Sequence, residues 1–410
     1  MNDLCRFASL LLIALPLAVH AEDARLSQLR ALLVPMRANQ MEHLEARGAR
    51  PELTVVKHVL RDWIESRLSA FHYWEDPGAL ERQLNSELRQ AKLFCRPGPC
   101  PNDSPCPEWS ALGYVGEIKL GFQAGRTFLV VRTALGIQQC GFDESAYAYQ
   151  WAEDHWQPFW QSEQGDYTEE KYFPQTLYAV LISRSNYDKG ADRSEHLVLT
   201  LGRDPWCTSN WHPVYYRLWQ TKSSYREPKL LLDEREDAFV ADYPPIQGSV
   251  GPSDVLIEYT VGSIDGGVHS RREIRHYVVN EDKIERVDPI ALSPRDFVDE
   301  WVHHPWAESS RWSEPGVRAA LRTWHEKRKG PLVFGEFAYP TLHCAQKPDL
   351  WQVGIHFTGK EDTHEYFLIR WRPPYRFTMA GASDHPWPGC AQEDAEADAP
   401  RTLFPVQDWR

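Results

Sequence analysis

Two segments of the sequence share a layout that places cysteine, acidic and aromatic residues between strands. They are residues 135–151, LGIQQCGFDESAYAYQW, and residues 201–219, LGRDPWCTSNWHPVYYRLW. Each begins with Leu-Gly, has one cysteine a few residues later and ends in alternating aromatic residues, the period-2 pattern of a half-buried strand. The loops of these segments hold the first candidates for chemistry: Cys140, Asp143, Glu144, Asp204, Trp206, Cys207, Trp211 and His212.

The tryptophans of the second loop are candidates for ligand binding. Trp and Tyr have large rigid apolar faces with one polar atom, so in loops they stack on sugar rings or anchor a protein partner. Most of the 17 tryptophans must fill the core. Trp206 and Trp211, however, stand beside Asp-Pro, Cys, Asn and His-Pro, where a buried indole would have few apolar neighbours. We predict a ligand-binding site of Trp206, Trp211 and His212; the alternative is that both indoles are core residues.

An enzymatic alternative rests on carboxylates. Glycoside hydrolysis requires two carboxylates held a fixed distance apart beside aromatic faces. The acidic residues Asp143, Glu144, Glu163, Asp166 and Asp204 could supply such a pair. Other enzyme classes lose their usual support, because the chain contains no G-x-S-x-G elbow, Walker loop or dinucleotide fingerprint.

Metal sites and cofactors are not indicated. The sequence has no H-E-x-x-H or H-x-H motif, and the adjacent His303 and His304 point to different faces of a helix. Oxygen-bearing residues alternate between Asn186 and Glu195, but glycine falls at the wrong position for a calcium loop. The C-x4-C-x5-C spacing of residues 95–106 lacks the two-residue spacing of zinc sites and a nearby fourth ligand. We therefore predict no metal and no cofactor.

Composition and the N-terminus indicate an exported protein. Residues 1–21 have an apolar run from Phe7 to Val19 and small residues before a cut at Glu22, the pattern of a signal peptide. The alternative, an N-terminal membrane anchor, is disfavoured because the run falls short of the ~20 residues of a span. No later segment approaches one, so we expect no transmembrane segment in the mature chain. A net charge of −13 with one short basic cluster, residues 271–275, argues against nucleic acid as a partner.

Cysteine usage fits the same compartment. Seven of the eight cysteines follow the signal peptide, and in an oxidising compartment pairing is the default. We predict a disulfide between Cys344 and Cys390, because they flank the last three strands of the C-terminal unit and no other cysteine lies within it. The equivalent loop positions of Cys140 and Cys207 suggest a second disulfide.

The N-terminal part of the mature chain is predicted to be helical. Apolar residues recur at helical spacing over residues 22–94, in three segments separated at Gly48 and at Asp76-Pro77, an N-cap followed by proline at N1. Residues 95–110 follow as a linker rich in cysteine and proline, which suits neither a helix nor a central strand.

Residues 111–290 change to period 2 and predict a β-meander domain of three four-stranded units. The predicted strands are 116–122, 127–134, 147–151 and 156–160 in the first unit, 178–185, 196–202, 214–219 and 229–234 in the second, and 238–243, 254–261, 273–279 and 283–288 in the third. Corresponding strands recur at intervals longer than a strict propeller repeat. We expect stacked or propeller-like antiparallel sheets, with a β-sandwich as the alternative.

Residues 291–392 predict a C-terminal α+β unit. Ser293 as N-cap and Pro294 at N1 open one helix, which ends at Pro305, and residues 317–327 form a second. Strands then follow at 332–339, 350–359, 364–371 and 375–381, so the unit could equally be a fourth β unit with helices inserted. Residues 393–410 are acidic and poor in apolar residues, and we expect a mobile tail.

The sequence as a whole predicts a mainly β protein with helical additions. We interpret it as a secreted or periplasmic, non-catalytic binding or envelope-associated protein with a glycan or an envelope protein as partner. The alternative is a hydrolase that acts on a polysaccharide with a pair of loop carboxylates.

Overall fold

The chain folds mainly into antiparallel β-sheets with helices in its N- and C-terminal regions. The computed structural model describes residues 23–38, 51–95, 113–138, 141–163, 176–185, 195–204, 210–222, 227–239, 245–265, 270–287, 291–327, 334–358, 363–372, 375–394, 397 and 403. It contains four antiparallel sheets, of four, four, four and five strands. The predicted fold class is confirmed. The predicted signal peptide and most of residues 95–110 lie outside the described residues.

Three helices form the N-terminal region, as predicted: α1 (Ala24–Ala38), α2 (Pro51–Leu68) and α3 (Pro77–Gln90). The predicted cap of α3 is present, because the Asp76 side chain accepts a hydrogen bond from the backbone N–H of Gly78 at 3.1 Å. Asn85 of α3 donates to the Ile118 carbonyl at 2.9 Å and accepts from the Ile118 N–H at 3.0 Å. These two hydrogen bonds satisfy the buried amide of Asn85 and fix α3 beside the first sheet.

The first sheet has the order β1-β2-β3-β4. Its strands are β1 (Lys119–Gln123), β2 (Phe128–Gln138), β3 (Gly141–Ala152) and β4 (His155–Ser162). Both faces of the sheet are buried. Leu129 and Val131 pack with the three helices, whereas Phe128 and Val130 pack with the second sheet. This division follows from the alternation of side chains along a strand.

The second sheet also follows chain order, from β5 to β8. Its strands are β5 (Thr176–Ile182), β6 (Glu195–Arg203), β7 (Trp211–Lys222) and β8 (Lys229–Phe239). In β6, Val198 packs with the first sheet, while Leu197 and Leu199 pack with the third. A strand covered on both faces is apolar at consecutive positions, which explains the continuous run HLVLTLG.

The third sheet departs from the predicted strands at its first member. Its strands are β9 (Ile246–Val250), β10 (Asp254–Gly262), β11 (Ser270–Asn280) and β12 (Lys283–Arg286). The predicted first strand at residues 238–243 was wrong at Ala238 and Phe239, which pair with β7 as the end of β8, and residues 240–243 lie outside the described residues. Two prolines at 244–245 precede β9. Because proline cannot donate to a β-ladder, this pair in the sequence disfavours a strand that continues into β9.

The C-terminal region contains α4 (Pro294–His303), α5 (Trp306–Ser309) and α6 (Arg318–Lys327), followed by the fourth sheet. Its strands are β13 (Phe334–Cys344), β14 (Leu350–Thr358), β15 (Thr363–Arg372), β16 (Arg376–Ser383) and β17 (Cys390–Glu393), in the order β16-β15-β14-β13-β17. The Ser293 hydroxyl accepts from the Asp296 N–H at 3.1 Å, so α4 begins as predicted. Helix α4 packs its apolar side against the fourth sheet through Phe297, Val298 and Trp301.

The fifth strand, β17, shows that the segment after Cys390 begins as part of the fold. Glu393 pairs with Leu342 of β13, and the Trp351 indole donates to Asp394 at 2.9 Å. Ala397 is completely buried. The expectation of a mobile tail from residue 393 was therefore wrong for these residues. A four-residue strand is too short for its hydrophobic pattern to be read from the sequence.

Cys344 and Cys390 form the predicted pair. They face each other across β13 and β17 and are joined by a disulfide. Cys95 is also disulfide-bonded. Cys140 and Cys207 lie outside the described residues, so their pairing stays a prediction. Among the helices that the structure describes, none combines the length and apolar character needed to cross a bilayer.

Candidate functional site

The residues of the predicted aromatic site lie at the start of strand β7. Trp211 and His212 are strand residues and not loop residues, since both pair with the end of β8. The Trp211 side chain is 42% exposed, and its ring lies 5.2 Å from that of Phe239. His212 is only 3% exposed, because successive residues of a strand point to opposite faces. The structure thus does not bring His212 to the surface, and Trp206 lies outside the described residues.

The predicted catalytic carboxylates form ion pairs with different cations. Asp143 and Glu144 lie within β3 and not in a loop. Asp143 is 2.5 Å from Lys57, and neither side chain is more than 3% exposed. Glu144 is 3.4 Å from Arg132 and accepts from the Leu177 N–H at 2.7 Å. Burial raises the pKa of Glu144 despite Arg132.

Asp204 and Glu163, which were also predicted as catalytic carboxylates, form ion pairs with arginines as well. Asp204 forms an ion pair with Arg235. Glu163 lies 3.6 Å from Arg61 and accepts a hydrogen bond from the Tyr147 hydroxyl at 2.5 Å. Asp166 lies outside the described residues. A glycosidase pair needs one carboxylate positioned to act on the bond that breaks, and these four are already engaged by other groups.

A different site is formed where the second and third sheets meet the segment after α4. There the described residues enclose a cavity of about 530 Å³, a size typical of small-ligand sites. We call it the charged pocket. Its lining residues are Tyr216, Glu234, Glu236, Arg275, Tyr277, Arg286, His304, Glu308, Arg311 and Trp312.

Strand β11 brings charged side chains to the inner end of this pocket. Arg271, Glu273, Arg275 and Tyr277 occupy alternate positions, so they project from one face of the third sheet. Glu273 lies 2.6 Å from Arg271 and 3.0 Å from Arg275. Burial alone would raise the pKa of Glu273, but the two guanidinium groups outweigh it and hold the pKa well below its usual value.

Helix α4 contributes two buried carboxylates that pair with arginines of the third sheet. Asp299 lies 3.1 Å from Arg271 and accepts hydrogen bonds from the Ser263 hydroxyl at 2.6 Å and the Ile264 N–H at 3.0 Å. Glu300, on the next position, forms an ion pair with Arg286 of β12. The charges therefore join α4 to the third sheet, while the apolar side of the same helix packs on the fourth sheet.

His304 lies among three carboxylates at the end of α4. Its Nε2 atom is 3.6 Å from Glu273 and 3.5 Å from Glu300, and its Nδ1 atom is 3.5 Å from Glu308. Burial alone would lower the pKa of His304, but hydrogen bonds and attraction from Glu273 and Glu300 outweigh it and raise the pKa. The ring also meets Trp312 edge to face at 5.1 Å.

Glu273, Glu300 and His304 have the donor atoms of a metal site, but the site lacks the net negative charge that would attract a metal ion. Glu273, Glu300 and His304 place one potential ligand atom each within 4.8 Å of one another. The same carboxylates are neutralised by Arg271, Arg275 and Arg286. A divalent cation would have to displace these arginines and remain beside their charges, so the residues do not fit a metal ion.

The mouth of the pocket differs from its base. Glu234 and Arg311 are exposed, and among the described residues neither side chain forms an ion pair. Glu236 lies 3.5 Å from Arg275, which already binds Glu273 more closely. Burial raises the pKa of Glu236 although Arg275 opposes the shift. The aromatic lining residues Trp312, Tyr216 and Tyr277 are all buried, and the two tyrosine hydroxyls are 3.2 Å apart.

Sequence reasoning missed this pocket, although two signals were available. In RREIRHY, charged residues occupy alternate positions of a strand and so must share one face. In α4, Glu300 and His304 are four residues apart and so lie on one side of a helix. Neither signal identifies the other as its partner, because more than 20 residues separate them along the chain.

Comparisons with known proteins add no family. No protein-family model and no curated protein matches this chain. Among solved structures, one match is "Complex structure of the fission yeast SREBP-SCAP binding domains", with 10% identity over 67% of this chain and 76% of that chain. Its TM-score of 0.14 is too low to support any statement on fold or function.

Proposed function

We propose that this chain is an exported, non-catalytic binding protein that holds a glycan ligand in the charged pocket. The observation that carries the proposal is a cavity of about 530 Å³ that is lined by acidic, basic and aromatic residues. Carbohydrates are bound in concave sites by polar groups that bond their hydroxyls. Acidic and basic residues are mixed in the wall, which suits a ligand rich in hydroxyls that both donate and accept.

The state of the charged groups favours binding over catalysis. Glu273 and Glu300 hold Arg275 and Arg286, which line the pocket, so the positions of these two arginines are fixed before a ligand arrives. The Glu273 side chain is 2% exposed, which leaves it out of contact with any substrate in the pocket. Pre-organisation of this kind lowers the entropic cost of binding, whereas a catalytic carboxylate must touch the reacting atoms.

Export is supported by covalent structure. The disulfide between Cys344 and Cys390 is the kind of bond that persists in oxidising compartments. It agrees with the signal peptide expected at residues 1–21. Intact-mass measurement of exported protein tests this part of the proposal: a mature chain that begins near Glu22 supports it, and retention of residues 1–21 contradicts it.

The binding proposal is tested by calorimetric titration with soluble oligosaccharides of neutral, amino and uronic-acid sugars. The informative variant is Arg311→Ala, because this exposed side chain lines the pocket without an ion pair among the described residues. We expect it to weaken binding about tenfold or more, the value of a hydrogen bond to a charged group. Arg322→Ala is the matched control, since Arg322 is exposed on α6 and does not line the pocket.

Two results would contradict the proposal. One is that no oligosaccharide of the panel binds, in which case an envelope protein becomes the partner to seek. The other is that a sugar binds equally well to the parent and to Arg311→Ala, because the ligand would then lie elsewhere.

The hydrolase alternative retains one observation in its favour. Glu236 lines the pocket with its side chain 37% exposed, and burial raises its pKa although Arg275, 3.5 Å away, opposes the shift. A carboxyl group with a raised pKa in the wall of a cleft is the pattern of a general acid. Release of reducing ends from a glycan, abolished by Glu236→Gln, would establish hydrolysis; absence of release by the parent protein would exclude it for that glycan.

A further inference from the structure

A group of exposed aromatic side chains lies where the N-terminal helices meet the first sheet. The residues are His72, Tyr73 and Trp74 of the α2–α3 connection and Trp151 of β3, and we call them the aromatic platform. Trp74 is 61% exposed and Tyr73 43%. No other pair of neighbours along the chain is so exposed among the large apolar residues that the structure describes.

The rings of the platform support one another. The Trp74 ring centre lies 4.5 Å from His72, 5.0 Å from Tyr73 and 6.3 Å from Trp151. Tyr73 lies 5.4 Å from Trp151. Contacts at these distances restrict the rotation of each ring, so the exposed faces are presented in fixed orientations.

A buried layer holds the platform from below. Trp151 faces Trp156 across the β3–β4 hairpin, with ring centres 5.1 Å apart. The indole of Trp156 donates to the Phe71 carbonyl at 2.9 Å, which ties the α2–α3 connection to the hairpin. Arg126 donates to the Glu75 carbonyl at 2.7 Å from the other side.

The turns around the platform adopt unfavourable backbone conformations. The two-residue turn of the β3–β4 hairpin consists of Glu153 and Asp154, with φ of 51° and 62°. Such turns normally carry Asn-Gly or Asp-Gly. The nearby Ala124 and Arg126 also have positive φ, at 50° and 77°. Non-glycine residues in this region cost free energy, and their concentration at one place points to a functional surface.

We propose that the aromatic platform is a second binding site, separate from the charged pocket, that stacks on sugar rings of an uncharged polysaccharide chain. Fixed, exposed Trp and Tyr faces suit the apolar faces of sugar rings. At the edge, the exposed Glu75 carboxylate accepts from the His72 N–H at 2.6 Å and has further lone pairs that can accept from sugar hydroxyls. The long polymer would be held by the platform whether or not its end enters the pocket.

Area and charge favour this occupant over a protein or a membrane. With about 250 Å² for a whole aromatic side chain, Tyr73 and Trp74 expose about 250 Å² together, well below the ~800 Å² per partner of a stable protein interface. Four exposed acidic residues surround the rings: Glu75, Asp76, Glu153 and Asp154. They would repel an anionic lipid surface, to which interfacial Trp and Tyr otherwise bind.

The test is retention of the full mature chain on insoluble cellulose, chitin and β-1,3-glucan. We expect the parent protein to be retained on at least one polymer and Trp74→Ala to bind it about tenfold more weakly. Leu230→Ala is the control, because Leu230 is also an exposed apolar side chain, at 47%, but belongs to β8 and to neither proposed site. Arg311→Ala separates the two sites, since loss of the pocket ligand should leave retention on the polymer unchanged.

Three outcomes would overturn the proposal. The first is no retention of the parent on any of the polymers. The second is equal retention of the parent and Trp74→Ala with equal thermal midpoints, which would place the site elsewhere. The third is that Trp74→Ala leaves polymer retention intact but abolishes another interaction of the parent protein. That interaction would be binding to phosphatidylglycerol vesicles or concentration-dependent dimerisation.

Discussion

Replacement of Glu273 by Gln tests whether this carboxylate holds the charges at the base of the pocket together. Gln has nearly the same shape, so the change removes the negative charge without opening a cavity. Arg271 and Arg275, whose side chains are 6% and 9% exposed, would then lose their nearest counter-ion. The cost of the substitution is the cost of leaving buried positive charge uncompensated.

The magnitude follows from the partners that remain. Removal of one member of a buried ion pair costs about 3–5 kcal/mol. Arg271 keeps Asp299 at 3.1 Å and Arg275 keeps Glu236 at 3.5 Å, so compensation is only partly lost. We therefore expect a loss of about 3 kcal/mol in the free energy of unfolding, or about 150-fold in the unfolding equilibrium constant.

The assay is urea unfolding at pH 7, followed by tryptophan fluorescence and by far-UV circular dichroism. Coincidence of the two curves tests whether one transition is observed, which a chain of this size does not guarantee. Glu285→Gln on β12 is the control, because Glu285 is exposed on the same sheet and should change stability by less than about 0.5 kcal/mol. An equally small change for Glu273→Gln would refute the reasoning.

Three further predictions concern His304, the disulfide and Trp211. Because the folded-state pKa of His304 is raised, the stability that its protonation contributes should be complete below pH ~6.5 and decline as pH rises through the folded-state pKa. Thermal midpoints from pH 5 to 9 should show this decline in the parent and not in His304→Asn. Parallel profiles of the two proteins would contradict the prediction. Cys344→Ser removes the disulfide to Cys390, 46 residues along the chain, so we expect the free energy of unfolding to fall by about 4 kcal/mol on the chain-entropy model. Urea unfolding with and without reductant tests this, because reductant should not destabilise the fourth sheet of the variant any further. Trp211→Ala should cost about 1 kcal/mol through its contact with Phe239, well below the 3–5 kcal/mol of a core tryptophan, and a large drop in thermal midpoint would show that the indole is structural.

Local patterns in the sequence were sufficient for most elements. Asp76-Pro77 and Ser293-Pro294 begin helices α3 and α4 in the structure, because capping depends only on neighbouring residues. Alternating residues predicted most strands, since the period of a strand is independent of its partners. The pairing of Cys344 with Cys390 could be predicted because no other cysteine lies in that unit.

Positions that depend on distant partners could not be predicted in the same way. His212 looked like a loop residue because it lies beside proline and asparagine, yet β8 extends far enough to pair with it and bury it. Asp143 looked like a loop acid, yet it is buried against Lys57 of a helix more than 80 residues earlier. The sequence gives no sign of such partners, because ion pairing depends on distance in space.

Both candidate sites illustrate the same division. Composition and alternation determined that this chain would form acidic, tryptophan-rich antiparallel sheets, and the alternation in β11 also contained a signal, which was missed, that its charged residues share one face. Only the tertiary structure decided that this face meets His304, directly after α4, and that Trp74 of a helical connection meets Trp151 of a hairpin. The physical reason is that periodicity records which side of an element is buried, whereas the partner on that side is selected by how whole sheets and helices stack.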